Sequence, residues 1–114
     1  MATIAHTIDD ALRFVERVIW TPLATGDAGQ KVGLPLNSDK TVQAIGTFSA
    51  SVVTMQGSNN GADWFTLNDA LGNTLVFTAP GGAQCLENPI WIRPNVTAGA
   101  AAALTVIIAA SKQS

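Results

Sequence analysis

The side chains able to do chemistry are few in this chain. There is one histidine, His6, and one cysteine, Cys85. A metal site needs several His, Cys or carboxylate ligands converging on one point, and neither residue has a partner at ligand spacing. A Cys–His nucleophile pair would require His6 to fold back onto Cys85. The simpler reading is a solvated His6 near the start of the chain and a Cys85 that fills core space as a small hydrophobe. The acids are Asp9, Asp10, Glu16, Asp27, Asp39, Asp63, Asp69 and Glu87. Acid–base catalysis by carboxylates needs two of them in one cleft, but most fall in turn sequences, where Asp bonds its own backbone. Glu87 stands apart: Asn88-Pro89 follows it and Arg93 begins the next apolar run, so a Glu87–Arg93 bridge across the Pro89 corner is expected to pin that corner rather than catalyse.

Other motifs carry little chemistry. Asn59-Asn60-Gly61-Ala62-Asp63 offers oxygen ligands without the acidic start and closing Glu of a calcium loop. Asn95-Val96-Thr97 matches a glycosylation acceptor, but MATIAHTIDD lacks the basic start and apolar run of a secretion signal. No glycine-rich phosphate loop occurs. No catalytic, cofactor-binding or metal-binding residue is expected, and the chain does not read as an enzyme.

Composition points the same way. Of 114 residues, 47% are apolar and only 12% charged, against roughly 25% charged in an ordinary globular chain. Thr, Ser, Asn, Gln and Ala must cover the surface, which leaves it poorly defended against association. The six basic residues, Arg13, Arg17, Lys31, Lys40, Arg93 and Lys112, are scattered, and the net charge is −2. Nucleic-acid binding is therefore not expected. The most apolar stretch, Ala98 to Ala110, is too short for a membrane helix. A single cysteine permits no internal disulfide.

The elements that would position these residues are strands. Thr41, Gln43 and Thr47 alternate with Val42, Ala44 and Phe48, with Gly46 as a bulge candidate. Further strands are expected at 51–56, 62–67, 74–78, 84–87, 90–93 and 104–109. Asn60-Gly61 is a strong hairpin signal, and Gly26-Asp27-Ala28-Gly29 reads as a turn. Pro22 and Pro94 are expected to stop their strands. About eight short strands at near-regular spacing indicate an all-β sandwich or barrel. Residues 1–13 are expected to form an extended N-terminal arm and 14–114 one β-sandwich domain. The arm is expected to run into a strand from Phe14 to Trp20, and a short helix after Thr7, Asp9 and Asp10 competes with that extended reading. Adjacent residues of a strand face opposite sides of the sheet. One member of each pair Ile19-Trp20, Trp64-Phe65 and Ile90-Trp91 must therefore leave the core, for a second face or a partner.

Several phrases resemble a known family. They are Met55 to Leu67 (MQGSNNGADWFTL), Leu71 to Thr78 (LGNTLVFT), Leu86-Glu87-Asn88-Pro89 and Ile92 to Thr97 (IRPNVT). In this order they resemble small capsid-associated proteins of tailed bacteriophages, the head decoration or cement proteins, over roughly Thr41 to Ala109. The resemblance implies a compact jelly-roll β-sandwich on the outside of the capsid of a virion assembled in the bacterial cytoplasm. It implies two partners, the major capsid protein and the chain itself as homodimer or homotrimer, and no cofactor. The expected contact residues are Ile4, Ile8 and Leu12 of the arm, with Trp20, Trp64 and Trp91 as aromatic anchors. Two other readings compete: a carbohydrate-binding module, since Gly57 to Asp63-Trp64 also resembles turns of discoidin-like sandwiches, and a tail or head-fibre component.

Overall fold

A computed structural model describes residues 3–12, 15–33, 37–99 and 102–112. Its longest strands show why the chain folds as a sheet on a sheet. In β7 (Val52–Ser58) and β11 (Trp91–Thr97) alternate side chains are buried. The buried set of β11 is Ile92, Pro94 and Val96, while Trp91, Arg93 and Asn95 are turned away. β6 (Asn37–Thr47) buries Lys40, Val42 and Ala44, and β12 (Ala103–Lys112) buries Leu104, Val106, Ile108 and Ala110. Two half-buried sheets with this period must stack their apolar faces to remove them from water.

The remaining described strands are β1 (Thr3–Ile4), β2 (His6–Leu12), β3 (Val15–Leu23), β4 (Ala28–Gly29), β5 (Val32–Gly33), β8 (Phe65–Thr66), β9 (Val76–Phe77) and β10 (Gly81–Cys85). One sheet has five strands in the order β10-β6-β12-β3-β2. The other has seven, in the order β1-β4-β11-β7-β8, with β5 also on β11 and β9 also on β7. Because β4 and β5 lie along the same side of β11, and β8 and β9 along the same side of β7, β3 to β12 occupy eight strand positions, four per sheet. β3 and β12, the first and last of these positions, lie side by side, and the chain repeatedly crosses between sheets. The molecule is an all-β sandwich with the strand order of a jelly roll. The pairings are antiparallel except β1 with β4.

The core between the sheets is led by Trp20, Leu23, Met55, Leu67, Leu75, Ile92, Leu104 and Ile108, all essentially without solvent exposure. Trp20 also ties the layers together: it lies on β3 of the five-stranded sheet, and its Nε1 donates to the Gln30 carbonyl (2.9 Å) between β4 and β5. Gly29 lies under this tie, where an added Cβ would fall 2.7 Å from Trp20 Nε1 and 2.5 Å from Pro94 Cδ.

Several expectations need correction. Pro94 does not stop its strand. It sits within β11 where that strand changes partner, from β5 at Trp91 and Ile92 to β4 at Asn95. A residue without an N–H is tolerated at such a break in the ladder. Pro22 likewise lies inside β3, where the pairing with β12 shifts register between Leu104 and Val106. Gly26 to Gly29 is half turn and half strand, because Ala28-Gly29 forms β4. Residues 62–67 yield only the two-residue β8, and Trp64 precedes it. Gly81 and Gly82, which read as punctuation, begin β10.

In the segment expected as an arm, residues 3–4 pair with β4 and residues 6–9 and 12 with β3. The first strand thus joins one sheet and the second joins the other. Residues 13–14, where arm and domain were divided, lie outside the described residues.

Candidate functional site

The outer face of the seven-stranded sheet brings together Trp64, Trp91, Lys31 and Arg93. A local feature builds it: the turn after β7. Ser58 Oγ accepts from the Gly61 amide (2.9 Å) and donates to Asn60 Oδ1 (2.9 Å). Asn60 Oδ1 also accepts from the amides of Ala62 and Asp63 (2.9 Å each), and Asn60 Nδ2 donates to Asp63 Oδ2 (3.0 Å). An Asn that accepts from amides two and three residues on fixes a turn without help from the sheet. Gly61 takes φ of +77°, and a Cβ there would lie 2.7 Å from Lys31 Nζ and 3.4 Å from Trp91 Nε1. The turn therefore favours glycine for its backbone, and the Lys31 ammonium and the Trp91 ring edge close over it.

Two cation–aromatic pairs follow. Lys31 Nζ lies 4.8 Å from the Trp91 ring centre, and the Arg93 guanidinium lies 4.1 Å from that of Trp64. Arg93 Nε also donates to Gln56 Oε1 (2.9 Å), its cross-strand partner on β7. Partial burial draws the Arg93 pKa below its ordinary value through desolvation. Trp64 and Trp91 are both half-buried, and Phe65 (42% exposed) and Ile90 (53%) stand beside them in sequence. The surface can bind through large amphipathic contacts and two charges, while the described residues form no pocket and no cluster of three or more metal-ligating side chains.

The structure separates the residues singled out from sequence. Trp64 and Trp91 share this face. Trp20 does not: it is wholly buried and has no surface to give a partner. Ile4 packs against the core, Ile8 is 47% exposed on β2, and the Leu12 side chain lies outside the described residues.

The Glu87–Arg93 bridge is replaced by other partners. Glu87 accepts from the Asn68 amide (2.7 Å) and from Asn68 Nδ2 (2.6 Å), tying the corner to the loop after β8. Arg93 points outward to Gln56 and Trp64. Pro89 packs against β7, its Cγ lying 2.7 Å from where a Gly57 Cβ would be.

Sequence reasoning missed a buried polar pair at the same end. Lys40 and Cys85 are direct cross-strand partners, and both are buried. Lys40 Nζ donates to Asn88 Oδ1, and Cys85 Sγ donates to the Glu87 carbonyl (3.3 Å). Desolvation pushes the Lys40 pKa down and the Cys85 pKa up. A raised thiol pKa is the opposite of what an activated nucleophile needs. The signal available in sequence was Lys40 in register with Val42 and Ala44. His6 sits edge-on to Trp20, with ring centres 6.0 Å apart, so it is a packing residue rather than a solvated one.

No protein-family model and no curated sequence matches the chain. Several solved structures superpose on it. The SPBc2 prophage-derived protein YomS superposes with a TM-score of 0.65 at 7% identity, over 90% of this chain and 100% of its own. Looser superpositions are found with a Bacillus halodurans protein (TM-score 0.48, 12% identity, 89% of this chain and 65% of that one). A Bacillus endospore appendage protein gives a TM-score of 0.47 at 12% identity, over 97% of this chain and 91% of its own.

Proposed function

We propose that this chain is a structural protein of a tailed-phage particle, a decoration or cement protein that sits on the outside of the capsid and holds neighbouring major capsid subunits together. One observation carries the reading. Two of the phrases that resemble the decoration proteins supply Trp64, Phe65 and Arg93 to the aromatic and cationic face: Met55 to Leu67 runs from β7 through the Ser58–Asp63 turn to β8, and Ile92 to Thr97 lies in β11, next to Trp91. The fold shared with a prophage-derived protein is consistent with that origin. In this reading Trp64, Trp91 and Phe65 supply apolar contact, and Lys31 and Arg93 select an acidic or carbonyl-rich patch on the capsid. No catalytic step is assigned to the chain, and its place is the virion surface, reached by assembly in the bacterial cytoplasm.

The carbohydrate-binding reading is less well supported. A sugar stacks on a ring face, and one face of each of these two Trp rings already carries a cation. The test is co-sedimentation with capsids that lack the protein. Saturable binding at a fixed copy number per capsid is expected, weakened at least about tenfold by Trp91→Ala. A chain that stays in the supernatant, yet changes its Trp fluorescence with a glycan, would instead be a carbohydrate-binding module.

A further inference from the structure

We propose that Lys40 and Asn88 join in an intramolecular amide bond, with loss of ammonia, which fastens β6 to the corner between β10 and β11. The proposal goes beyond the capsid reading and does not depend on it.

The nucleophile is a lysine in a place where its charge is costly. Lys40 is the one charged side chain buried among the described residues, at 2% exposure, on the inner face of β6 with Val42 and Ala44. Among the described residues no carboxylate lies within ion-pair distance of it. Asp39, its neighbour in the chain, is exposed and belongs to the opposite face of β6. A buried ammonium with no counter-ion is relieved by giving up its proton. Desolvation accordingly lowers the Lys40 pKa. A desolvated, neutral lysine amine is a competent nucleophile.

The group it touches is an electrophile. Lys40 Nζ donates to Asn88 Oδ1, and the amide carbon Cγ is the next atom. The corner that carries Asn88 is held from three sides. Glu87 accepts from the Asn68 amide and Nδ2, Cys85 Sγ donates to the Glu87 carbonyl (3.3 Å), and Pro89 packs over Gly57. An amine and an amide carbon held in contact react without the entropy cost of an encounter. Pro89 also closes a competing route. It has no N–H, so Asn88 cannot lose ammonia by cyclising onto the next backbone nitrogen.

The step balances without another reactant. Nζ attacks Cγ, the Nζ–Cγ bond forms and the Cγ–Nδ2 bond breaks. Nδ2 leaves as ammonia, carrying one proton that was on the amine. Cys85 is placed to relay that proton, since it is the cross-strand partner of Lys40 and its Sγ lies against the carbonyl that joins Glu87 to Asn88. Burial raises the thiol pKa, so the thiol holds a proton to give to Nδ2 before it takes one from Nζ. Asn88 is itself exposed, which leaves ammonia a path to water. The product is neutral, so the buried charge disappears. The bond joins residues 48 apart in sequence and closes β7, β8, β9 and β10 into a covalent loop, which confines the unfolded chain.

Intact mass spectrometry of the denatured full chain tests this, after the folded protein has been incubated until its mass is constant. The unmodified chain should be lighter than its sequence by one ammonia, about 17 Da. Its digest should contain a branched peptide that joins Lys40 to Asn88. Lys40→Met and Asn88→Ala should each have the full mass of its own sequence. Asn88→Ala changes an exposed corner residue, so it keeps the test if Lys40→Met fails to fold. The proposal is overturned by a full-mass unmodified chain, by a loss that both variants retain, or by a loss that maps to another asparagine such as Asn60, which precedes Gly61.

Discussion

The two outer faces of the sandwich use the same strand periodicity to opposite ends. On the seven-stranded sheet, the outward positions of β11 hold Trp91, Arg93 and Asn95, and a self-contained turn brings Gly61 and Trp64 to them. On the five-stranded sheet, the central outward positions hold Ile19, Ile107, Thr105 and Gln43. One face presents cations already seated against aromatic rings. The other presents methyl groups and hydroxyls that satisfy each other. The difference teaches that low overall charge does not mean a uniform surface: one face seats its cations on aromatic rings at its middle, while the other keeps its charges, the Arg17–Asp9 pair and Asp39, away from a neutral centre.

The comparison can be broken at the tie between the layers. Trp20→Ala should cost about 3–5 kcal/mol, as for other large core aromatics, because it empties core volume beneath one sheet and leaves the Gln30 carbonyl of the other without its indole donor. Chemical denaturation should show both faces lost in one transition at a lower midpoint. Two separate transitions would mean that the layers fold independently.

A sharper test sets an arginine from each face against the other. Arg93→Ala removes a cation–aromatic contact and a charged hydrogen bond to Gln56, and should cost about 1–2 kcal/mol. Arg17→Ala removes an ion pair whose two side chains are each 45% exposed, and should leave the denaturation midpoint unchanged. Equal effects would show that the aromatic seat contributes nothing to Arg93.

The smallest expected effect is alkaline, and comes from the buried pair beneath the Glu87–Pro89 corner. The folded-state pKa of Cys85 is raised above 9.0. Its contribution to stability is thus complete below pH 9.0 and is lost as pH rises through the folded value. The folded-state pKa of Lys40 is lowered from 10.5. Its contribution has the opposite sign: it is complete above 10.5 and lost as pH falls through the folded value. While Lys40 is a free amine, the two slopes offset each other in the unmodified chain. Cys85→Ala should leave stability rising towards pH 10.5, and Lys40→Met should leave it falling above pH 9. Removing the lysine charge also moves the folded thiol value further up, so that fall still begins near pH 9.0 and continues to higher pH. Urea midpoints measured from pH 8 to 10.5 would show either slope, and identical slopes in the two variants would mean that neither group is buried as described.

Much of the architecture was legible in the residues. Alternation at Thr41–Phe48 and in the 104–109 run marked β6 and β12, and Asn60-Gly61 marked the turn that builds the aromatic face. These signals are local, since period-2 burial and Asx-turn chemistry both act within a few residues. The prolines misled, because whether a missing N–H matters depends on which neighbour strand would have accepted it. Pro94 falls where β11 exchanges one neighbour for another, and nothing near it in the chain shows that. The Glu87–Arg93 bridge failed for a similar reason: Arg93 lies on the outward face of β11, towards Gln56, while Glu87 is turned to Asn68.

The sequence by itself determined that the chain would form short strands, that each would have an apolar set, and that some aromatic residues would have to leave the core. Only the tertiary structure decided which ones. In Ile19-Trp20 the tryptophan is inside and the isoleucine outside, whereas in Trp64-Phe65 and Ile90-Trp91 no member reaches the buried core. Alternation divides a strand into two faces and is silent on which of them meets the other sheet. That choice is made by the stacking of β3, β6 and β12 against β7 and β11, where burying Trp20 also gives its indole N–H an acceptor in the opposite layer.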